Sequence, residues 1–383
     1  MNTHKNYHWR IAGFYFFYYA FVGMFAPYWS LYLKSIHFDA IEISILMSIQ
    51  PVMRMLAPGI WGWLADRTGK RLLVVQIAAT SSAMFYLGVF VTTSFWGMFL
   101  VLTLMAFFWS ASMPLVEATT MSYLGKNTAH YGRIRSWGSI GFIVSVVGLG
   151  YAFDYVAITW ILWAGLVCEI GILIFSRQIP HTEVLAHHTD HQTVKQIMLQ
   201  PRVLALFGAC FLMCVAHGPY YTFYSIYLVE HGYAKSAVGG LWALGVICEI
   251  GVFFVMPALV RRFGFTRILL ISFSAAALRF LLIGWMVDWL VLLLFAQMLH
   301  ALTFGAYHAA SIGLVHEFFK GRHQSKGQAL FGSITYGAGG VLGGLASGPV
   351  WVHWGSTALY SMSAVAAMLG LIMMVWMRSY KIL

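Results

Sequence analysis

Five ionisable side chains stand inside long apolar runs of this 383-residue sequence: Arg54, Glu117, Glu169, Glu249 and Arg279. A charge in hydrocarbon costs roughly 2.5–3.5 kcal/mol on insertion scales, so residues of this kind are candidates for chemistry by default. Carboxylates and guanidinium groups can pair with one another, hold a charged solute or exchange a proton. Burial disfavours an ionised carboxylate and a nearby arginine favours it, so a glutamate balanced between the two can load and release a proton. His217, His300 and His308 lie in similar surroundings and add hydrogen-bonding groups.

Spacing sets the depth of each. Arg54 lies 15 residues after Asp39 and 12 before Asp66, which at about 1.5 Å per residue places it near the middle of its run. Glu249 precedes Arg261 by 12 residues and Arg279 follows Arg267 by 12, so both are also near mid-depth. Arg54 and Glu249 are 195 positions apart, the offset of an internal repeat, and so occupy equivalent depths. An ion pair, two ends of one binding site, or a static structural pair would each account for them. Glu117 and Arg135 stand nine residues either side of Lys126 and should share a depth, as a gate or site ion pair or as a structural one. His300 and His308 are eight residues apart, two helical turns and about 80° around the axis, and need not act together. His217 can hydrogen-bond a solute or simply pack. Glu169 has no obvious partner; its Cys-Glu-Ile-Gly context matches Cys248–Gly251 in a non-equivalent run, a coincidence.

The elements that position these residues are helices. The chain is 60% hydrophobic and 9% charged, against roughly 25% charged in a soluble domain, and its mean hydropathy is +0.77. Runs of about 20 apolar residues, the length that crosses a hydrocarbon core of about 30 Å, recur at 11–33, 43–64, 72–93, 96–123, 135–153, 157–176, 203–228, 237–259, 267–287, 289–316, 328–350 and 356–377. An all-α membrane protein of about twelve transmembrane helices is expected. The first run is too long for a signal-peptide core and is expected to remain in the fold. Cys168, Cys210, Cys214 and Cys248 all fall inside apolar runs, as small packing residues rather than disulfides or ligands.

Charge fixes the orientation expected. Nineteen of the 23 Lys and Arg residues, from Lys5 and Arg10 through Arg67, Lys70 and Arg71 to Arg378 and Lys381, fall in loops on one side of this arrangement. By the positive-inside rule that side, with both termini, is cytoplasmic, in an inner membrane crossed many times. Only Lys34 and Lys235 fall in opposite loops. The same rule accounts for the formal charge of +11 without a nucleic-acid partner. The longest polar stretch, Ser176 to Arg202, divides the chain into 1–178, a linker 179–201 and 202–383. Its His187, His188 and His191 suit a solvated linker better than a metal site. At an offset of 195, Ser30, Tyr32 and Leu33 match Ser225, Tyr227 and Leu228, and Arg67 and Gly69 match Arg262 and Gly264; at 194, Gly138–Ile140 matches Gly332–Ile334. Six runs separate the copies, so the halves run parallel, with a crevice expected between two six-helix bundles.

After the second run the chain reads Gly62-Trp63-Leu64-Ala65-Asp66-Arg67-Thr68-Gly69-Lys70-Arg71. This resembles the loop 2–3 signature of the major facilitator superfamily, G-x-L-A-D-R-x-G-x-[RK]. In it Gly62 would allow close helix approach, Asp66 would face a helix N-terminus or a basic partner, and Arg67, Lys70 and Arg71 would hold the cytoplasmic side; simple positive-inside anchoring would use the same residues. Within the superfamily, Tyr131–Ser139, Glu249, Arg279 and Leu299-His300-Ala301-Leu302-Thr303-Phe304 resemble the phenylpropionate permease group and, more distantly, lactose-permease-type proton symporters. The likeness runs from the first span to the eleventh. It implies a transporter in which the second and eighth spans meet, and a proton site containing Glu249, Arg279 and His300 with the tenth-span histidines. The arginine-bearing fourth-span signature and the Gly-Pro fifth-span signature of drug antiporters are absent, which counts against drug export.

The resemblance also makes the first and seventh spans cavity-lining. They carry Phe14, Tyr15, Phe17, Tyr18, Tyr19, Phe25, Tyr28 and Trp29, and Tyr220, Tyr221, Phe223 and Tyr224, suited to a planar substrate or to interfacial belts. Gly339, Gly340, Gly343, Gly344 and Gly348 suit close helix contact in the eleventh. The expected function is uptake of an aromatic or other monocarboxylate by a monomeric proton symporter working by alternating access. Arg54, His217, Tyr221, His308, Glu117 and Arg135 would meet substrate, Glu249, Arg279 and His300 would couple the proton, and Gly62, Asp66, Arg67, Gly69 and Arg71 would gate. The proton is the only coupling agent, with no other cofactor or metal. A sugar or nucleoside symporter and an exporter are the alternatives. A receptor or membrane enzyme is a further class, and no nucleophile–base pair or metal motif supports the enzyme.

Overall fold

A computed structural model describes residues 8–125, 130–180 and 194–379, and all the regular structure in them is helical. Ten helices are long and apolar enough to span a membrane: α1 His8–Ser35, α2 Ala40–Thr68, α3 Arg71–Phe90, α4 Phe95–Leu124, α5 Tyr131–Phe153, α6 Ile158–Ser176, α7 Pro201–Glu230, α8 Lys235–Trp285, α9 Leu290–Phe318 and α10 Lys326–Ser379. Large apolar side chains point outward from them, Phe254 being 83% and Val291 76% exposed, which only a hydrocarbon environment accommodates at such density. In that environment a helix is the one open structure that satisfies every backbone group internally.

The twelve runs expected from hydropathy fall on eight unbroken helices and on two long ones that each break once. α8 has 51 residues and α10 has 54, each about twice the roughly 20 needed to cross. Both break at one glycine, Gly264 (φ 71°, ψ 161°) and Gly355 (φ 78°, ψ 178°). A side chain at positive φ is strained, so a glycine makes each break, Gly264 among Arg261, Arg262 and Arg267 and Gly355 between His353 and Ser356. Elsewhere the ends follow local chemistry. Asp39 and Glu42 form a reciprocal capping box at α2, Ser94 accepts the Gly97 N–H at α4, and Gly69 ends α2 in the left-handed conformation (φ 65°).

By their contacts the described residues group into two compact units, Met1–His188 with Ala234–Gly240, and Thr189–Tyr233 with Leu241–Leu383. Most of the histidine-bearing linker, 181–193, lies outside the described residues. In the first unit α1 packs on α5 and α6, and α4 on α2 and α3. The Ala234–Gly240 segment is held there by Asp154, whose Oδ1 accepts the Lys235 N–H at 2.8 Å. Bonds from Ser236, its hydroxyl foremost and then its backbone, hold the Asp154 carboxyl below the usual carboxylate range.

In the second unit α7 packs along α10. The approach is backbone to backbone: a Cβ on Gly218 would strike the Gly343 and Gly344 backbone, and one on Gly339 would come within 2.7 Å of the Phe211 carbonyl. Gly23, the repeat equivalent of Gly218, meets the Phe142 carbonyl in the same way at 2.6 Å. Of the glycines expected to mediate close contact, Gly339, Gly343 and Gly344 do so. α1 and α7 are the most enclosed helices, and most of their aromatic residues are core: Phe14, Tyr15, Tyr28, Trp29, Tyr220 and Tyr224 are each under 2% exposed. Tyr19 and Tyr221 keep some exposure.

Gly218→Val should lower the melting temperature of the detergent-solubilised protein, with a loss of about 1–3 kcal/mol from overpacking. Gly59→Ala, where a Cβ meets nothing within 4 Å, should be neutral or stabilising. Equal melting of both variants would show that the α7–α10 approach is not tight.

Candidate functional site

The second unit encloses a cation. Arg279 on α8 is 0% exposed, and its polar contacts are all neutral. Nη2 donates to Gln297 Oε1 at 3.3 Å, while Nη1 reaches Thr303 Oγ1 and His217 Nε2, each at 3.4 Å. His217 Nδ1 lies 2.8 Å from the Met213 carbonyl. A carbonyl only accepts, so Nδ1 carries a proton there; in the neutral ring Nε2 then offers its lone pair to the guanidinium. Beneath the guanidinium lies the Tyr220 ring, 4.2 Å from Cζ to centroid, a favourable cation–π placement in a desolvated site. Arg279 Nε is buried without a hydrogen-bond partner.

Tyr220 links this cation to a carboxylate. Its hydroxyl donates to Gln297 Oε1 at 3.3 Å, and its ring stacks at 5.9 Å and 27° on the His300 ring. His300 Nε2 lies 3.9 Å from Glu249 Oε2, and the Glu249 side chain is 16% exposed. Two glycines make the room: a Cβ on Gly305 would come within 2.9 Å of Glu249 Cγ, and one on Gly245 within 3.1 Å of His300. Glu249, His300 and Arg279, expected together, are thus one connected cluster with His217. Tyr221 borders it, its ring 6.5 Å from His217 and 6.0 Å from Trp242. Gln297 and Thr303 were not singled out, although a glutamine three residues before His300 in an apolar run was the available signal.

His308 lies two turns beyond His300. On a regular α-helix it would face about 80° away from His300, but Ala301–Ala306 is wound as a π-helix, a wider turn. The Phe304 ring, four residues from each, stacks on both, at 5.3 Å to His300 and 6.4 Å to His308. His308 Nδ1 lies 2.7 Å from the Tyr336 hydroxyl.

In the first unit Arg54 is exposed although it stands in the middle of an apolar helix. Nη2 donates to Gln50 Oε1 at 3.3 Å, one turn earlier, and the guanidinium lies 5.3 Å from the Trp109 ring. Trp109 stacks on Tyr18 at 4.0 Å and 13°, so the arginine borders a two-ring platform. Gln50 and Trp109 were not anticipated; both are polar-tipped residues among apolar ones. Glu249 belongs to the other unit, and each is placed here by its own neighbours.

Glu117 and Arg135 do not form the direct ion pair their spacing suggested. Tyrosines intervene: Tyr131 OH donates to Glu117 Oε1 at 3.4 Å, while Arg135 bonds the Tyr19 hydroxyl and stacks over that ring at 4.0 Å. Glu169 does have a partner, Ser82, whose hydroxyl donates at 3.1 Å. In the signature segment Gly69 supplies a left-handed cap and Arg67 stacks on Trp63 at 5.2 Å. Gly62 is not a helix-contact glycine, because a Cβ there would meet nothing within 4 Å. Asp66 is exposed, with no hydrogen bond or ion pair to another described residue, and Arg71 opens α3.

Comparison with known proteins gives one pattern. The chain is 26% identical over 370 residues, 94% of each chain, to the probable 3-phenylpropionic acid transporter of Escherichia coli K12. It is 24% identical to the maltose permease of Geobacillus stearothermophilus, over 94% of this chain and 92% of that one. Identity to the nucleoside permease NupG of Escherichia coli K12 is 23%, over 82% and 81%. The crystal structure of the nucleoside transporter NupG superposes with a TM-score of 0.82 at 18% identity, covering 98% of this chain and all of the other. An auto-inhibited POT family peptide transporter superposes at 0.74 and 12% identity, covering 98% and 97%. The model described as MFS_1 like family matches residues 8–362, and the chain therefore belongs to that family of multi-pass membrane transporters of the major facilitator type, not to an enzyme family.

Proposed function

We propose that the protein is a proton-coupled symporter that takes up an aromatic or other monocarboxylate by alternating access. The observation that carries the proton side is the connected cluster Glu249–His300–Tyr220–Arg279. Arg279 cannot be deprotonated, so the carboxyl of Glu249 is the group whose charge can vary. A proton taken up on Glu249 turns an acceptor into a donor facing His300 Nε2. Its release restores the acceptor. His300 orients the carboxyl and Tyr220 keeps cation and carboxyl in one cluster.

The substrate side rests on Arg54. Its guanidinium has five donor hydrogens in a planar fork and, among the described residues, one hydrogen-bonded partner, Gln50, so a bidentate carboxylate fits it. The adjoining Trp109–Tyr18 platform suits a flat ring. The likeness to the probable 3-phenylpropionic acid transporter of Escherichia coli supports the same class. A sugar or nucleoside is the second reading, favoured by the buried Gln50 Nε2, which has no hydrogen-bond partner and could donate to a neutral solute. Both termini are proposed to face the cytoplasm.

Three outcomes follow. Glu249→Gln keeps shape but cannot titrate, so it should abolish uphill accumulation while leaving counterflow exchange largely intact; accumulation against a gradient by this variant would reject the coupling role. Arg54→Gln should weaken binding of a carboxylate substrate by about 1.5–3 kcal/mol, roughly 10- to 150-fold, and leave a neutral solute unaffected. Binding of a neutral nucleoside or sugar by wild-type protein, indifferent to Arg54→Gln, would select the second reading, and expulsion of labelled solute against its gradient would select export. A reporter fused after Lys381 should read as cytoplasmic and one near Lys235 as external; the reverse would overturn the orientation.

A further inference from the structure

The second unit holds another charged concavity, far from the Arg279 cluster. A cavity of about 490 Å³ is lined by Arg202, Arg267 and Arg378 together with Glu317, and edged by Phe263, Phe265 and other apolar residues. Arg267 precedes Arg279 by 12 residues on α8, about 18 Å along a helix, so the two sites lie at different depths. This is the end of the unit that carries its basic residues.

We propose that this cavity is a binding site for a phosphate-bearing anion, such as the headgroup of an acidic phospholipid. The positive-inside rule accounts for each arginine singly, yet it does not require three from different segments to converge on one space. Like charges gathered there repel, and Glu317 does not relieve them: among the described residues no ion pair within 4.0 Å joins it to any of the three. An anion entering the cavity would. Arg202 Nε is buried without a hydrogen-bond partner, a donor already desolvated and awaiting an acceptor.

The surroundings suit phosphate in particular. Arginine forks bind phosphate oxygens bidentately, and a tetrahedral phosphate presents oxygens to donors arriving from several directions. Arg202 stands in the first turn of α7, a 30-residue helix whose N-cap Gln200 makes no side-chain bond, so the positive end of the helix dipole adds to the attraction. Gly264, at φ 71°, lets the chain turn back so that Arg267 reaches the cavity. Phe265 is fixed against Gly313, where a Cβ would strike its ring. Glu317 would accept from the hydroxyl or ammonium groups of a headgroup, and the apolar edge would meet the start of an acyl chain. Basic pockets of this composition between membrane helices are a recognised form of lipid-headgroup site. The inference goes beyond the transport reading and is tested without transport.

The test is native mass spectrometry and thermal melting of the delipidated, full-length protein with phosphatidylglycerol, phosphatidylcholine or inorganic phosphate. Phosphatidylglycerol should be retained and raise the melting temperature at about one-tenth the concentration needed for phosphatidylcholine, and Arg202→Gln with Arg378→Gln should remove that preference. Glu317→Gln, which keeps every arginine, should bind phosphatidylglycerol at least as well as wild type and serves if the double variant does not fold. A shift produced by inorganic phosphate alone, and lost with the arginines, would identify a soluble phosphate compound as the source. Equal retention of the two lipids with no effect of phosphate, or a preference that survives in the folded double variant, would overturn the proposal.

Discussion

A guanidinium keeps its charge at every accessible pH, and Arg279 carries that charge at 0% exposure inside a membrane protein. Desolvating such an ion costs several kcal/mol even after relaxation. Much of the second unit can be read as the answer to that cost. α7 contributes the Tyr220 face and the His217 lone pair, and α9 contributes Gln297 and Thr303. These partners arrive from two helices at once, and Gly245 and Gly305 leave room for His300 and Glu249 beside them. The π-wound turn at Ala301–Ala306 lies between His300 and His308 and includes Thr303.

The two units set arginines against aromatic rings, Arg54 and Arg279 near mid-run and Arg135 at the start of its run, to different effect. Arg54 borders Trp109, Arg135 covers Tyr19, and Arg279 covers Tyr220. An aromatic face stabilises a cation without neutralising it, so each arginine keeps an unsatisfied appetite for an anion. Exposure then separates them. Arg54 is open and can receive a solute, whereas Arg279 is sealed and can only bias groups already beside it.

What was legible in the sequence was depth and charge. Arg54, Glu249 and Arg279 are conspicuous because they interrupt apolar runs, and counting residues to the nearest polar end locates them. The glycine series of α10 was legible for the same reason. Partners were less so. Glu117 and Arg135 sit where spacing put them, but tyrosine hydroxyls took both, and tyrosines are too frequent in the neighbouring helices to stand out. The breaks at Gly264 and Gly355 fall between runs that hydropathy already separates, because Arg261, Arg262 and Arg267 in one case and His353 and Ser356 in the other interrupt the apolar sequence. The π turn at Ala301–Ala306 was not legible because such a turn carries no marker in composition. Gly62 misled because a shared signature says where a residue stands and not what it touches.

Charge balance ties the proposed substrate and proton sites together. With Glu249 ionised, the Arg279 cluster carries one positive and one negative charge, while Arg54 stands as an open cation in the other unit. A monocarboxylate on Arg54 without a proton would leave the loaded protein one charge more negative than the empty one. A proton on Glu249 restores the empty protein's net charge. Movement of an added charge through hydrocarbon is what the bilayer penalises, so the loaded and empty forms meet similar electrostatic barriers only when anion and proton are carried together. On this reading coupling needs no rigid connection between Arg54 and Glu249, because the low dielectric makes the singly loaded states the costly ones.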